Sequence, residues 1–137
     1  MSEGFRLLPH TADVRFEAWG PTREACLAQA VRAFTATFAE VSGAHPDQRR
    51  SVVLDAEQDE QLLLAALDEL VFLLDTEDAV PVDVSAERTD GGALLQLWTT
   101  SVRVLRSTGA APKAVSLHGL RFSRENDEWR CSVTLDV

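Results

Sequence analysis

The helical signal in this chain is confined to its middle. Two stretches, residues 20–41 and 59–76, repeat apolar residues at intervals of three and four, and everything after them alternates in the manner of strands. In "GPTREACLAQAVRAFTATFAEV", Leu27, Ala30, Val31, Phe34 and Phe38 share one face, Pro21-Thr22 is a start signal and Ser42-Gly43 a stop. In the second stretch Leu63, Ala66, Leu67, Leu70 and Leu74 form a stripe that Leu62, Leu64, Phe72 and Leu73 widen. A helix this apolar is covered on more than one side, by a neighbouring element or by a partner protein. One or two strands are expected across Phe5–Trp19 and another in "RRSVVLDAE". Beyond the helices, Val80, Val82 and Val84 alternate with polar residues, and Gly91-Gly92 marks a hairpin before "ALLQLWTTSV". "KAVSLHGLRFSREN" and "DEWRCSVTLDV" read as a closing hairpin that turns near Asn126-Asp127. The order β-β-α-β-α-β-β-β-β gathers strands after the helices. It predicts an α+β, two-layer fold, with a mixed but mostly antiparallel sheet and two helices on one face, rather than a doubly wound nucleotide fold.

Without linkers, repeats or low-complexity tracts, the 137 residues are expected to form a single domain, 1–137, large enough to bury a core. No apolar run approaches a membrane span, and "MSEGFRLLPH" lacks the pattern of a secretory signal, so the cytoplasm is the expected compartment. The formal charge is −9. A surface this acidic repels phosphate backbones, so direct nucleic-acid binding is not expected; docking onto a basic partner and plain solubility both remain compatible with it. Cys26 and Cys131 have no metal-ligand spacing and read as buried, reduced thiols.

Two acids stand apart from the remaining charge. Asp13 opens the alternating segment in which Val14, Phe16 and Ala18 face the core, so it shares a side with Arg15 and Glu17. Asp136 closes the final strand, where Trp129, Cys131, Val133 and Leu135 are apolar and Arg130, Ser132, Thr134 and Asp136 take the other side. Both acids therefore point to the face the helices leave open. Parity does not make the two strands neighbours, and wet strand ends tolerate charge on their own. If the strands are neighbours, Asp13, Asp136 and the Val137 carboxylate form a crowd of negative oxygens that a cation or a basic side chain must neutralise. All-oxygen donors suit Mg²⁺, Ca²⁺ or Mn²⁺. No phosphate-binding glycine loop, nucleophile elbow or nucleophile–base pair is visible, so an independent enzyme is not expected.

"HTADV" near the start, "LLLAALDELVFLLDTED" in the middle, "KAVSLHGLRF" late and "W…V.LDV" at the end resemble the archease family, in order and over essentially the whole chain. That resemblance implies a small cytosolic accessory protein of the RtcB-type RNA ligase, the enzyme that joins RNA ends in tRNA splicing and RNA repair with GTP and Mn²⁺. It implies that the protein promotes guanylylation of the ligase and multiple turnover, and broadens nucleotide use. Carried over by residue, the family's metal ligands fall on Asp13, Asp136 and Val137, and its activity-supporting lysine on Lys113. The chain departs from the family pattern at "RVLRSTGAAP", where a Gly-Glu pair and a longer loop are usual, at Leu117, where an aromatic is common, and at "ALDELVF", where tryptophan and asparagine are common. Two other readings are a general chaperone or modulator of RNA-processing proteins, using the broad apolar helix, and a stand-alone metal-dependent phosphoesterase.

Overall fold

The structure, a computed structural model, describes residues 2–8 and 13–137. Strand β1 (Gly4–Leu8) leads to β2 (Val14–Gly20), and helix α1 (Arg23–Ala36) follows. Next come β3 (Ala39–Glu40), β4 (Gln48–Asp55) and helix α2 (Asp59–Glu77). The remainder is β5 (Ala79–Thr89), β6 (Gly92–Ser101), a single 3₁₀ turn at Val102–Val104, β7 (Arg106–Ser107), β8 (Ala114–Glu125) and β9 (Glu128–Asp136). The strands form a four-stranded sheet in the order β1-β2-β9-β8, a three-stranded sheet β4-β6-β5 and a small β3-β7 pair. Every pairing among the described residues is antiparallel. Among the described residues the expected α+β class holds, with two helices and antiparallel pairing throughout, and the strands divide among three sheets.

Local chemistry accounts for most of these boundaries. Thr22 caps α1 by accepting the Ala25 amide at 3.0 Å, and Glu24 sits in the positively polarised first turn. The helix stops at Ala36, five residues before the end that Phe38 and its spacing suggest. The Thr37 hydroxyl donates to the Phe34 carbonyl at 2.7 Å, and the Phe38 amide turns back to Thr35 at 3.1 Å. The following residues then leave helical geometry to pair as β3 with β7. The closing hairpin turns at Asn126 and Asp127, with φ values of 52° and 66°, the left-handed pair that a two-residue type I′ turn requires.

Both helices touch strands of both larger sheets: α1 packs on β2 and on β5, and α2 on β8 and β5. Leu27, Ala30, Val31 and Phe34 of α1 meet Phe16 and Ala18 of β2 and Cys131, Val133 and Leu135 of β9 in one continuous core. Leu62, Leu63, Ala66, Leu67, Leu70, Leu73 and Leu74 of α2 are buried, which is the multi-sided cover its breadth calls for. Each fully buried Leu or Phe contributes roughly 1.5–3 kcal/mol of transfer free energy, so this core is the main stabilising force. The thiols of Cys26 and Cys131 lie free and buried side by side between α1 and β9. The adjoining Cys131 thiol, with burial, drives the Cys26 pKa far up and keeps the sulfur protonated.

Arg23 is a buried polar link in this frame. Its guanidinium donates to Glu24 at 2.7 Å, to Asp59 at the start of α2 at 3.1 Å and to the Gly92 carbonyl of β6 at 2.8 Å. Burial opposes its charge, but the hydrogen bonds to Glu24 and Asp59 outweigh that, and its pKa is raised. One side chain thus ties the first turns of both helices to the β5–β6 hairpin.

Candidate metal site at one end of the four-stranded sheet

The β2–β9 ladder settles the question that parity leaves open. Its rungs run from Gly20 opposite Trp129 to Val14 opposite Leu135. Asp13 is the next residue outward on one side and Asp136 on the other, so the two strands deliver the two acids to the same end of the sheet. Phe16 and Ala18 of β2 and Val133 and Leu135 of β9 are buried against the helices, and Asp136 is exposed. Asp13 is partly exposed, at the bend that opens β2.

The third strand brings in Lys113. Strand β9 lies between β2 and β8, and Ala114 of β8 pairs with Asp136. The Lys113 amide donates to the Asp136 carbonyl at 2.7 Å, which fixes the backbone at both residues. Asp13, Lys113 and Asp136 therefore gather at one sheet end from three strands, followed by Val137, whose relative exposure is 36%. Lys113 itself lines a concavity facing α2, on the other side from the open face.

On the open face, Asp13, Arg15, Ser116, His118, Gly119 and Thr134 line a cavity of about 250 Å³. It exists because β8 bulges. Ser116 pairs with Thr134 and Arg121 with Ser132, so residues 117–120 have only Val133 to oppose them. Gly119 turns the bulge with φ of 76°, a left-handed conformation that side chains resist, and the Ser116 hydroxyl accepts the His118 amide at 3.2 Å. Sequence alternation takes this stretch as a plain strand and misses both the bulge and the cavity; Gly119 is the one local signal for it. His10 lies outside the described residues, and His45 is exposed in the loop before β4. Among the described residues no three His, Cys, Asp or Glu side chains cluster as a ready-made metal cage. The oxygens at this sheet end are carboxylate and main-chain oxygens, donors that fit a hard cation with open positions.

A small antiparallel α+β protein that carries paired acids from its first and last core strands to one sheet end defines a narrow class. The model of the Archease protein family (MTH1598/TM1083) matches residues 5–137, and the chain belongs to that family. It is 47% identical over 136 residues to the "probable protein archease" of Mycobacterium tuberculosis, covering 99% of this chain and 76% of that protein. It is 28% identical to the "protein archease" of Archaeoglobus fulgidus, covering 97% of this chain and 98% of that one. The solution structure of Methanobacterium thermoautotrophicum protein 1598 superposes with a TM-score of 0.79 at 26% identity, over 98% of this chain and 99% of that one. The crystal structure of a Thermotoga maritima protein described as an "archease, possible chaperone" shares the fold, with a TM-score of 0.67 at 21% identity over 95% and 94% of the two chains.

Proposed function

We propose that this archease is a non-catalytic activator of an RtcB-type RNA ligase, acting in tRNA splicing and RNA repair through a cation held at Asp13, Asp136 and Val137. The observation that supports the reading is the ladder: one step past Val14–Leu135, Asp13 and Asp136 come to one sheet end, with the Lys113 amide bonded to the Asp136 carbonyl. A hard divalent cation there (Ca²⁺, Mg²⁺ or Mn²⁺) would offset the charge of phosphate oxygens. Asp13 and Asp136 would hold it, and the amide of Lys113 keeps Asp136 in place. Lys113 would support activity as a second cationic group near the same edge. Such a helper promotes guanylylation only by binding the guanylylation-ready ligase better than its other states. No helix among the described residues is long and apolar enough to cross a membrane.

The test uses limiting activator with the ligase, GTP and RNA ends, comparing wild type with Asp13→Ala and Asp136→Ala. Both variants are expected to lose promotion of guanylylation and multiple turnover, and to lose the cation-binding heat in calorimetry. Full multiple turnover with both variants would reject the proposal. A chaperone-like role remains as a second reading, because the Thermotoga maritima relative is described in those terms and Phe72 on α2 stands 56% exposed. Protection of unrelated clients from aggregation, unaffected by Asp13→Ala, would favour that reading.

A further inference from the structure

The exposed phenylalanine lies in a groove. Along α2, Asp68, Val71, Phe72 and Asp75 stand at i, i+3, i+4 and i+7, so they form one stripe on the side turned from the buried leucines, with Val71 partly buried at its edge. Pro112 and Lys113 build the opposite wall, and the open groove between has a volume of about 670 Å³. Its floor is apolar, and Phe72 rises from it with more than half of its surface in water. A contiguous apolar surface of this kind on a soluble chain marks a docking site.

Charge says what docks there. Asp78, also on the rim, is engaged by Arg103 at 2.9 Å. Asp68 and Asp75 have no cation within ion-pair distance among the described residues. They bracket the Val71–Phe72 pair one turn to each side, and the chain as a whole carries −9. The run from Asp68 to Asp78 spans about 15 Å of helix, room for roughly three turns of a second helix. The Asp68 carboxyl is held above its ordinary 3.8 by partial desolvation, so a cationic neighbour would relieve it.

We propose that this groove receives a basic amphipathic helix of a partner protein, an apolar pair seated on Val71 and Phe72 and flanked by Arg or Lys residues that meet Asp68 and Asp75. The matching segment has basic residues seven apart with leucine-like residues between them, the mirror of the stripe on α2. The apolar anchors supply affinity, and the flanking charges supply register and exclude acidic helices. The groove shares Lys113 with that sheet end, but Phe72 is on α2, and Asp13 and Asp136 are untouched by its replacement.

A fluorescein-labelled helical peptide of about 15 residues, with Arg at i and i+7 and Leu at i+3 and i+4, is titrated with the full chain, beside a control in which Glu replaces each Arg. The Arg peptide is expected to bind, to weaken with salt and to shift the amide resonances of Val71, Phe72 and Lys113, while the Glu peptide stays free. Phe72→Ala, at an exposed position that leaves the core intact, is expected to weaken binding about tenfold or more. The paired Asp68→Asn and Asp75→Asn replacement is expected to weaken it and remove most of its salt dependence. No binding of the Arg peptide at about 1 mM, equal binding of the Glu peptide, or indifference to Phe72→Ala would overturn the proposal. So would a Phe72-dependent dimer in sedimentation with no peptide bound, which would make a second copy of the chain the occupant. Calorimetric cation titration of Phe72→Ala, expected to match wild type, separates failure here from failure of the ligase reading.

Discussion

Arg23→Met tests the buried polar link between the two helices and the β5–β6 hairpin. Methionine keeps an unbranched stem in the same channel and deletes the guanidinium, so hydrophobic cover is largely preserved while three hydrogen bonds are lost. The contacts are not equal. The Glu24 carboxylate is only 14% exposed and the Gly92 carbonyl bond is buried, so both lose a donor that water replaces poorly. Asp59 is 39% exposed and returns to solvent at little cost. Glu24 keeps some compensation from Arg88 at 3.7 Å, which limits the loss. Removing one partner of a buried pair costs roughly 3–5 kcal/mol, and these two offsets place Arg23→Met near the lower bound, about 3 kcal/mol. With a urea m-value of about 2 kcal/mol/M for a domain of this size, the midpoint should fall by about 1.5 M in tryptophan-monitored unfolding. Arg32→Met is the internal control. Arg32 pairs with Asp83 at 2.9 Å, but the two side chains are 40% and 60% exposed, and less than about 1 kcal/mol should be lost. Equal losses in the two variants would refute the claim that burial makes Arg23 different.

Three further outcomes are expected. Because Asp68 ionises above its ordinary 3.8 in the fold, the native state retains a proton the unfolded chain has released. Stability therefore falls as pH rises from 3.8 through the raised value; Asp68→Asn should melt higher than wild type at neutral pH and lose that advantage below pH 3.8, as read by thermal scans. Cys26 and Cys131 should be silent to a thiol-specific chromogenic reagent in the native protein and both react in denaturant, because each is buried and the Cys26 thiol is held protonated. Gly119→Ala should cost about 1–2 kcal/mol in denaturant unfolding from backbone strain alone, since a Cβ there meets no atom within 4 Å.

Much of the candidate site could be read from residue parity. The alternation of Val14, Phe16 and Ala18, and of Cys131, Val133 and Leu135, assigns Asp13 and Asp136 their side of the sheet, and both runs form the strands they suggest. Their adjacency was not legible, because β2 and β9 are separated by nearly the whole chain and pair through a ladder that no local signal encodes. Turn chemistry was legible at Asn126-Asp127, where the residues themselves favour left-handed backbone. It failed at the end of α1, where apolar spacing continues through Phe38 while the Thr37 hydroxyl and the distant β7 end the helix. It failed again at His118, where four residues of β8 bulge against one of β9 in what reads as an unbroken strand. The Arg23 network was hidden for the same reason: its partners Asp59 and Gly92 are remote in sequence.

The place of β9 inside its sheet has a consequence for biosynthesis. With β2 on one flank and β8 on the other, the strand of residues 128–136 is a keystone made after both of them. Until it leaves the ribosome, the hydrogen-bonding edges of both neighbours stay open and the two acids have no common edge to share. Contacts of such long sequence separation form slowly, and a nascent chain is exposed to mispairing while it waits. Bringing Asp13 and Asp136 to one edge thus reports a completed sheet: a chain without this strand could not assemble the pair.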